Sequence, residues 1–366
     1  MAAINPFKFG SVVDGAHFTN RGKEIAFVKR IISGENHLIL ISPRRYGKTS
    51  LVFKATSGLG RPVIALDLQV ITSTNDLAAQ LLKRIYREYP AERIRQYIRN
   101  FRVIPTITVN PVNNVVDVSF QAVDASLPLL EDVVNLLEKL GSKGKKPVII
   151  FDEFQEARQI DTQLLSQMRS IMQHHKHVNY IFLGSQESAI KDIFENKKSP
   201  FYHFGMVQVL EKIPKKDFLA YLSKGFSKVS PEPEALSSRI LDMTGSHPYH
   251  TQKMAYMAWE LCNSDKRVKQ PEMLAIDGLL RMHDADYERW WNNLNKTDQK
   301  VLIGLCTSDL PPLSEAFIRK FSAGATSTVY SSLKRLTAQG IVINDNKGYE
   351  VDDPVFVVWL RQRRNL

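Results

Sequence analysis

Ser42-Pro43-Arg44-Arg45-Tyr46-Gly47-Lys48-Thr49 carries the strongest chemical signal in the chain. Apart from Ser42 in place of the first glycine, it matches the phosphate-binding pattern G-x-x-x-x-G-K-[ST]. Gly47 lets the backbone approach a phosphate closely, and the amides that follow point at it from a helix N-terminus. Lys48 offers a compact positive charge for β- and γ-phosphates, and the Thr49 hydroxyl can ligate Mg²⁺. Further on, the apolar run Pro147-Val148-Ile149-Ile150-Phe151 delivers two carboxylates, Asp152 and Glu153. Asp152 suits the holding of Mg²⁺, usually through water, and Glu153 suits the orientation and polarisation of an attacking water. G-K-T tripeptides and strands ending in solvated acids are each common. Found together, they point to ATP binding with Mg²⁺ and to hydrolysis.

Chemistry of this kind needs strands that end at one edge of a sheet. His37–Ser42 reads as a buried strand entering the loop, and Lys48–Ser57 as a helix stopped by Gly58 and Gly60. Pro62–Leu68, Pro147–Phe151 and Val178–Leu183 read as further buried strands, the last ending at Gly184-Ser185, with a fifth at Met206–Leu210. Between them, Asn75 is expected to cap a helix over Asp76–Glu88. Alternation around Asn110-Pro111 and Asn113-Asn114 predicts an inserted hairpin over 103–120. Helices are expected over Leu127–Leu140 and Thr162–His174. Lys83–Arg102, the densest basic stretch, reads as exposed helix. Apolar strands alternating with helices imply an α/β class: a P-loop parallel sheet with helices on both faces. Pro214 to Trp291 is wholly helical in pattern. Residues from Leu294 to the end fit a winged helix, with helices over Thr297–Cys306, Ser314–Phe321 and Ser327–Gln339 and a hairpin over Ile341–Val351. The expected domains are therefore 1–212, an ATPase core; 213–293, a helical lid; and 294–366, the winged helix.

A length of 366 residues suits such a division, and 43% hydrophobic with 24% charged residues is an ordinary globular balance. No apolar run approaches the roughly 18 residues of a membrane span, so no membrane partner is expected. Two cysteines without metal spacing and an N-terminus without a secretory pattern fit the cytoplasm. The net charge of +11 admits nucleic acid as a partner, or simply solvated helix faces.

Pro43-Arg44-Arg45-Tyr46-Gly47-Lys48-Thr49-Ser50-Leu51 resembles the P-R-R-x-G-K-T-S-L loop of the archaeal-type ATPases. These are signal-transducing (STAND) P-loop ATPases related to AAA+ and origin-recognition ATPases. Phe18-Thr19-Asn20-Arg21-Gly22-Lys23-Glu24 is similar to the family's F-x-x-R-x-x-E box, which implies that Arg21 lies near the adenine. Phe151-Asp152-Glu153-Phe154-Gln155 resembles its h-D-E-h-Q segment, and Phe182-Leu183-Gly184-Ser185 its sensor-1 strand. Thr244-Gly245-Ser246-His247-Pro248-Tyr249 resembles its lid motif. The resemblance implies a monomer-to-oligomer switch driven by ATP and reset by hydrolysis to ADP. It also implies that Ser185 senses the γ-phosphate and that His247 or Pro248 lines the nucleotide. The bland alternatives are a helix cap at Ser185 and a helix-breaking turn at Gly245–Pro248. Relatives often carry an arginine where His203 follows Tyr202 here; if that arginine is a finger, its loss predicts slow turnover, and Arg44 and Arg45 are either substitutes for it or braces for acidic neighbours.

The third winged-helix helix presents Thr326, Ser327, Thr328, Tyr330, Ser331, Lys334 and Arg335, residue types that can reach bases and phosphates of duplex DNA. Alternatively, the module packs against the ATPase core or a protein partner.

Overall fold

The apolar runs fold as strands. In chain order these are β1 (Leu38–Ile41), β2 (Val63–Asp67), β3 (Thr106–Val109), β4 (Val116–Ser119), β5 (Val148–Asp152), β6 (Asn179–Gly184), β7 (Met206–Val209), β8 (Val342–Asp345) and β9 (Gly348–Val351). The computed structural model describes residues 4–13, 15–102, 104–109, 116–119, 126–142, 144–345 and 348–365. Asn110-Pro111 and Asn113-Asn114, and part of the wing at 346–347, lie outside the described residues. The chain divides into two units, residues 21–44 with 48–210, and residues 1–20, 45–47 and 211–366.

The first unit is built on a parallel sheet in the order β2-β5-β6-β1-β7. Its register pairs Asp67 with Asp152, Phe151 with Phe182, and Ile41 with both Gly184 and Val209. The loop after β1, the acids ending β5 and Ser185 after β6 therefore leave the sheet at the same edge. β1 and β6 are buried at every position, which is why these strands read as unbroken apolar runs rather than alternating ones. Leu77, Leu81 and Ile85 of helix Thr74–Glu88 share one core with Leu130, Val133 and Met168 of neighbouring helices and Phe151 and Phe182 of the sheet. β3 and β4 form the antiparallel hairpin expected there.

Two local expectations are corrected. Ser73, not Asn75, caps helix Thr74–Glu88, its side chain accepting from the Asp76 amide. The basic stretch is not one helix: it breaks at Tyr89-Pro90, and a second helix covers Ala91–Ile98. Proline lacks an amide hydrogen and disfavours helix in the residue before it, so the ladder cannot pass. Leu82, Ile85, Ile94 and Ile98 are buried while Arg87, Arg93, Arg95 and Arg99 are exposed, so the cations lie on the solvated faces of two amphipathic helices.

In the second unit, four helices (Lys215–Phe226, Pro233–Thr244, Pro248–Ser264 and Pro271–Asn292) precede three more (Lys296–Thr307, Glu315–Phe321 and Thr326–Ala338), the β8–β9 hairpin and a final helix, Pro354–Arg363. That last helix goes unread in the sequence, although Asp353 caps it by accepting from the Val355 and Phe356 amides. Four of these helices begin with proline at a position whose amide would have no helical partner anyway. One continuous core runs from Phe218 and Ile240 through Leu279 to Leu302, Leu333 and Phe356, so helical and winged-helix segments pack as one body. The guanidinium of Arg335 donates to buried Asp298 at 2.7 Å, and Ser332 binds the same carboxylate, so one edge of Arg335 braces the helix while its side chain stays about half exposed.

Asn179 opens β6 from a fully buried position, donating to the Gly34 and Asn36 carbonyls at 3.1 Å and accepting from Arg61 at 2.5 Å. Asn179→Leu strands all three partners. The expected loss is about 2–4 kcal/mol of unfolding free energy by chemical denaturation.

Candidate nucleotide site

The loop after β1 turns through two left-handed residues, Arg45 (φ 65°) and Gly47 (φ 90°), and helix Lys48–Thr56 follows directly. Ser42 is not among the positive-φ residues, so a side chain there costs no backbone strain. It is fully buried, its amide donating to the Gly184 carbonyl at 3.2 Å and its hydroxyl to the Pro43 carbonyl at 3.2 Å. The departure from glycine is thereby accommodated within the loop.

Lys48 is 5% exposed, and its ammonium donates to the Ser42 and Pro43 carbonyls at 2.9 and 3.1 Å. Next to it, the Thr49 hydroxyl donates to Asp152 Oδ2 at 2.8 Å across 103 residues of sequence. The other oxygen of Asp152 accepts from the Glu153 amide at 3.0 Å. Burial pushes the Asp152 carboxyl above its ordinary range and the Glu153 charge adds to this, while the Thr49 hydrogen bond and Lys48 oppose it. Glu153 stands in the left-handed region (φ 50°), and its Oε2 accepts from Ser185 Oγ and from Gln155 Nε2, both at 2.5 Å. The structure thus brings Ser42, Pro43, Lys48, Thr49, Asp152, Glu153 and Ser185 to one edge of the sheet, with Ser50 buried one residue further into the helix.

The remaining candidates are held by other partners. Arg21 is 4% exposed, takes a left-handed conformation before helix Gly22–Ser33, and pairs with Glu24 at 3.0 Å. Arg44 is exposed. Arg45, Tyr46 and Gly47 group with the C-terminal unit. There the Tyr46 ring meets His247 edge-on at 5.0 Å, and the Arg45 guanidinium lies over the Tyr249 ring at 4.6 Å. His247 caps helix Pro248–Ser264 by accepting from the His250 amide, and its Nε2 lies 3.7 Å from Asp352; Pro248 is buried as the first helical residue. Burial pushes the neighbouring His250 down to about 3 despite Asp353 beside it, so that imidazole is neutral. Sequence reasoning gave no role to Gln155. Its signal is its place as the last residue of the segment resembling h-D-E-h-Q, and nothing in that spacing shows that the turn folds it back.

A profile of the ATPase domain predominantly from Archaea matches residues 18–254, well over half of the chain. The chain belongs to this family. A second profile, a probable winged helix domain, matches residues 285–362. Among solved structures, a Walker-type ATPase of Pyrococcus abyssi superposes with a TM-score of 0.67 at 17% identity, over 94% of this chain and 96% of that one. The Aeropyrum pernix ORC2 protein in its ADPNP–ADP complexes gives 0.54 at 14% identity, over 95% and 96%. The Aeropyrum pernix ORC1 protein in complex with DNA gives 0.50 at 12%, over 95% of each chain. At such identities the likeness is one of fold. No curated protein matches the sequence. Within this family, the arginine expected after Tyr202 is His203, left-handed at φ 54° and stacked on Tyr202 at 3.9 Å.

The raised Asp152 carboxyl has a consequence for stability. Between its ordinary value of 3.8 and its higher folded value, the folded chain binds more protons than the unfolded one, so stability falls as pH rises through that window. Asp152→Asn keeps an oxygen for Thr49 and removes the charge. Its amide nitrogen cannot accept from the Glu153 N–H, so the linkage shows in the trend: the melting temperature of nucleotide-free Asp152→Asn relative to the parent should fall as pH falls from neutral toward 3.8 in a thermal-melt series.

Proposed function

We propose that this member of the ATPase family binds ATP with Mg²⁺ and hydrolyses it as a nucleotide-driven molecular switch of the STAND type. The observation that carries this reading is the 2.8 Å hydrogen bond from Thr49 to Asp152, which joins the phosphate loop to the acidic strand. Two hard oxygen donors side by side fit Mg²⁺, which takes one or two protein oxygens and completes its octahedron from phosphates and water. Among the described residues no cluster of three or more His, Cys, Asp or Glu offers an all-protein cage instead. When bound there, Mg²⁺ supplies neutralisation of charge on the transferring phosphoryl group.

Lys48 exchanges its two loop carbonyls for β- and γ-phosphate oxygens, so its burial is matched before and after binding. Glu153 orients the attacking water and takes its proton, held from the Oε2 side by Ser185. Ser185 thus links the γ-phosphate edge of the site to the carboxylate. Arg21, His247 and Pro248 are assigned to the nucleoside end by family resemblance. The switch reading rests on the family resemblance of the phosphate loop and lid motif. With His203 in place of arginine, turnover is expected to be slow unless a second copy of the chain supplies a cation.

A second reading draws on the winged helix. Thr326, Ser327, Thr328, Tyr330, Ser331 and Lys334 are all exposed on helix Thr326–Ala338, and the fold is shared with a protein solved on DNA. Duplex DNA is the partner such a face suits.

Lys48→Ala should lose measurable ATP binding, whereas Glu153→Gln should retain it and lose about 10²–10⁴ in turnover. Equilibrium nucleotide binding and phosphate release read the two, and a fully active Glu153→Gln would remove the base from its role. For the second reading, Lys334→Glu should weaken duplex binding and lower its log–log salt slope by about 1. Absence of any gel shift at low salt would dismiss it.

A further inference from the structure

Among the described residues, the Glu153 carboxylate is gripped on one oxygen only. Ser185 Oγ and Gln155 Nε2 both donate to Oε2 at 2.5 Å. Gln155 rides on the tight turn Phe154–Glu156, 5% exposed, between Phe154 and Ala157, which are fully buried. Its Nε2 comes no nearer than 3.4 Å to Glu156, so Glu153 is the closer partner. The other end of the amide, Oε1, is buried without a hydrogen-bond partner among the described residues. It lies toward Gly184, where an added Cβ would come within 3.2 Å of it. Turning the amide over would set that oxygen against the carboxylate, so contact with Glu153 alone dictates the orientation.

Two donors on one oxygen do more than satisfy it. They stop the carboxylate from rotating about its last torsion, which is otherwise broad and two-fold. They also leave Oε1 as the oxygen that neither clamp occupies.

We propose that Gln155 is a positioning residue for ATP hydrolysis, fixing the Glu153 carboxylate so that Oε1 is presented to the attacking water. The inference rests on the ATPase reading above and adds to it a residue that never touches substrate. Misplacing a reacting group by a fraction of its reach costs orders of magnitude in rate while leaving binding untouched.

The test uses the full-length chain and ATP with Mg²⁺. Gln155→Leu removes the donor with a branched apolar side chain one bond shorter and should lower kcat by about 10- to 100-fold. KM for ATP and the equilibrium affinity should stay within about twofold, the split expected when only transition-state positioning is lost. In a Glu153→Gln background the same change should cause no additional loss, because Gln155 acts through Glu153. Should Gln155→Leu bind nucleotide poorly, Gln155→Met gives a second donor-free side chain with more freedom to pack. Parental kcat in a donor-free variant that binds ATP normally overturns the proposal while the ATPase reading stands. So does an equal further loss in the Glu153→Gln background, which would make Gln155 merely structural. A parental chain that binds ATP and releases no phosphate overturns the ATPase reading and this proposal with it.

Discussion

One hydrogen bond joins the two halves of the candidate site. Thr49 is the second residue of the helix after the phosphate loop, and Asp152 is the last residue of β5. Their contact requires both segments to leave the sheet at the same edge and at the same height, which the register of β1, β5 and β6 provides. The half-buried Asp152 carboxylate, crowded by Glu153 and only partly offset by Thr49 and Lys48, is an unfavourable place for charge. The fold holds it there because the surrounding sheet is buried and apolar, a cost commonly located at functional sites.

The same logic extends to the loop. Lys48 is almost fully buried, and its ammonium is satisfied by two carbonyls of its own loop. A buried ammonium without partners would be costly, so the loop supplies in itself the oxygens that phosphate would otherwise present. Glycine is needed at position 47, where φ is 90°, and not at position 42, where the backbone is ordinary. This explains how the chain departs from the family pattern at its first loop residue without disturbing the rest.

Much of this architecture was legible in the residues. Buried parallel strands announce themselves as continuous apolar runs, and β1, β5 and β6 lie within about a residue of the predicted spans. Asp152 and Glu153 followed from knowing where those strands must end, and Ser185 from the family resemblance. What stayed hidden depended on partners distant in sequence or on choices among equals. Thr72, Ser73, Thr74 and Asn75 are all plausible caps, and only the folded backbone, extended at Ser73 and helical from Thr74, shows which one serves. The basic pattern runs across Tyr89-Pro90 because two separate helices both need solvated faces. The tie from Arg335 to Asp298 was hidden because its partner lies 37 residues away. Gln155 stayed unread because its contact depends on the left-handed turn at Glu153, a backbone state that glutamate rarely adopts.

β6 sits between β1 and β5, so the loop strand and the acidic strand are second neighbours. Two interstrand spacings separate them, roughly 9–10 Å. That width belongs to the hydrogen-bonded ladder and not to any side chain. Ordinary replacements along the middle strand should weaken the protein while leaving the mouth of the cleft its original size. A register slip or an inserted bulge in that spacer would instead change the gauge of the cleft itself, and evolution could vary specificity around the rim without ever touching it.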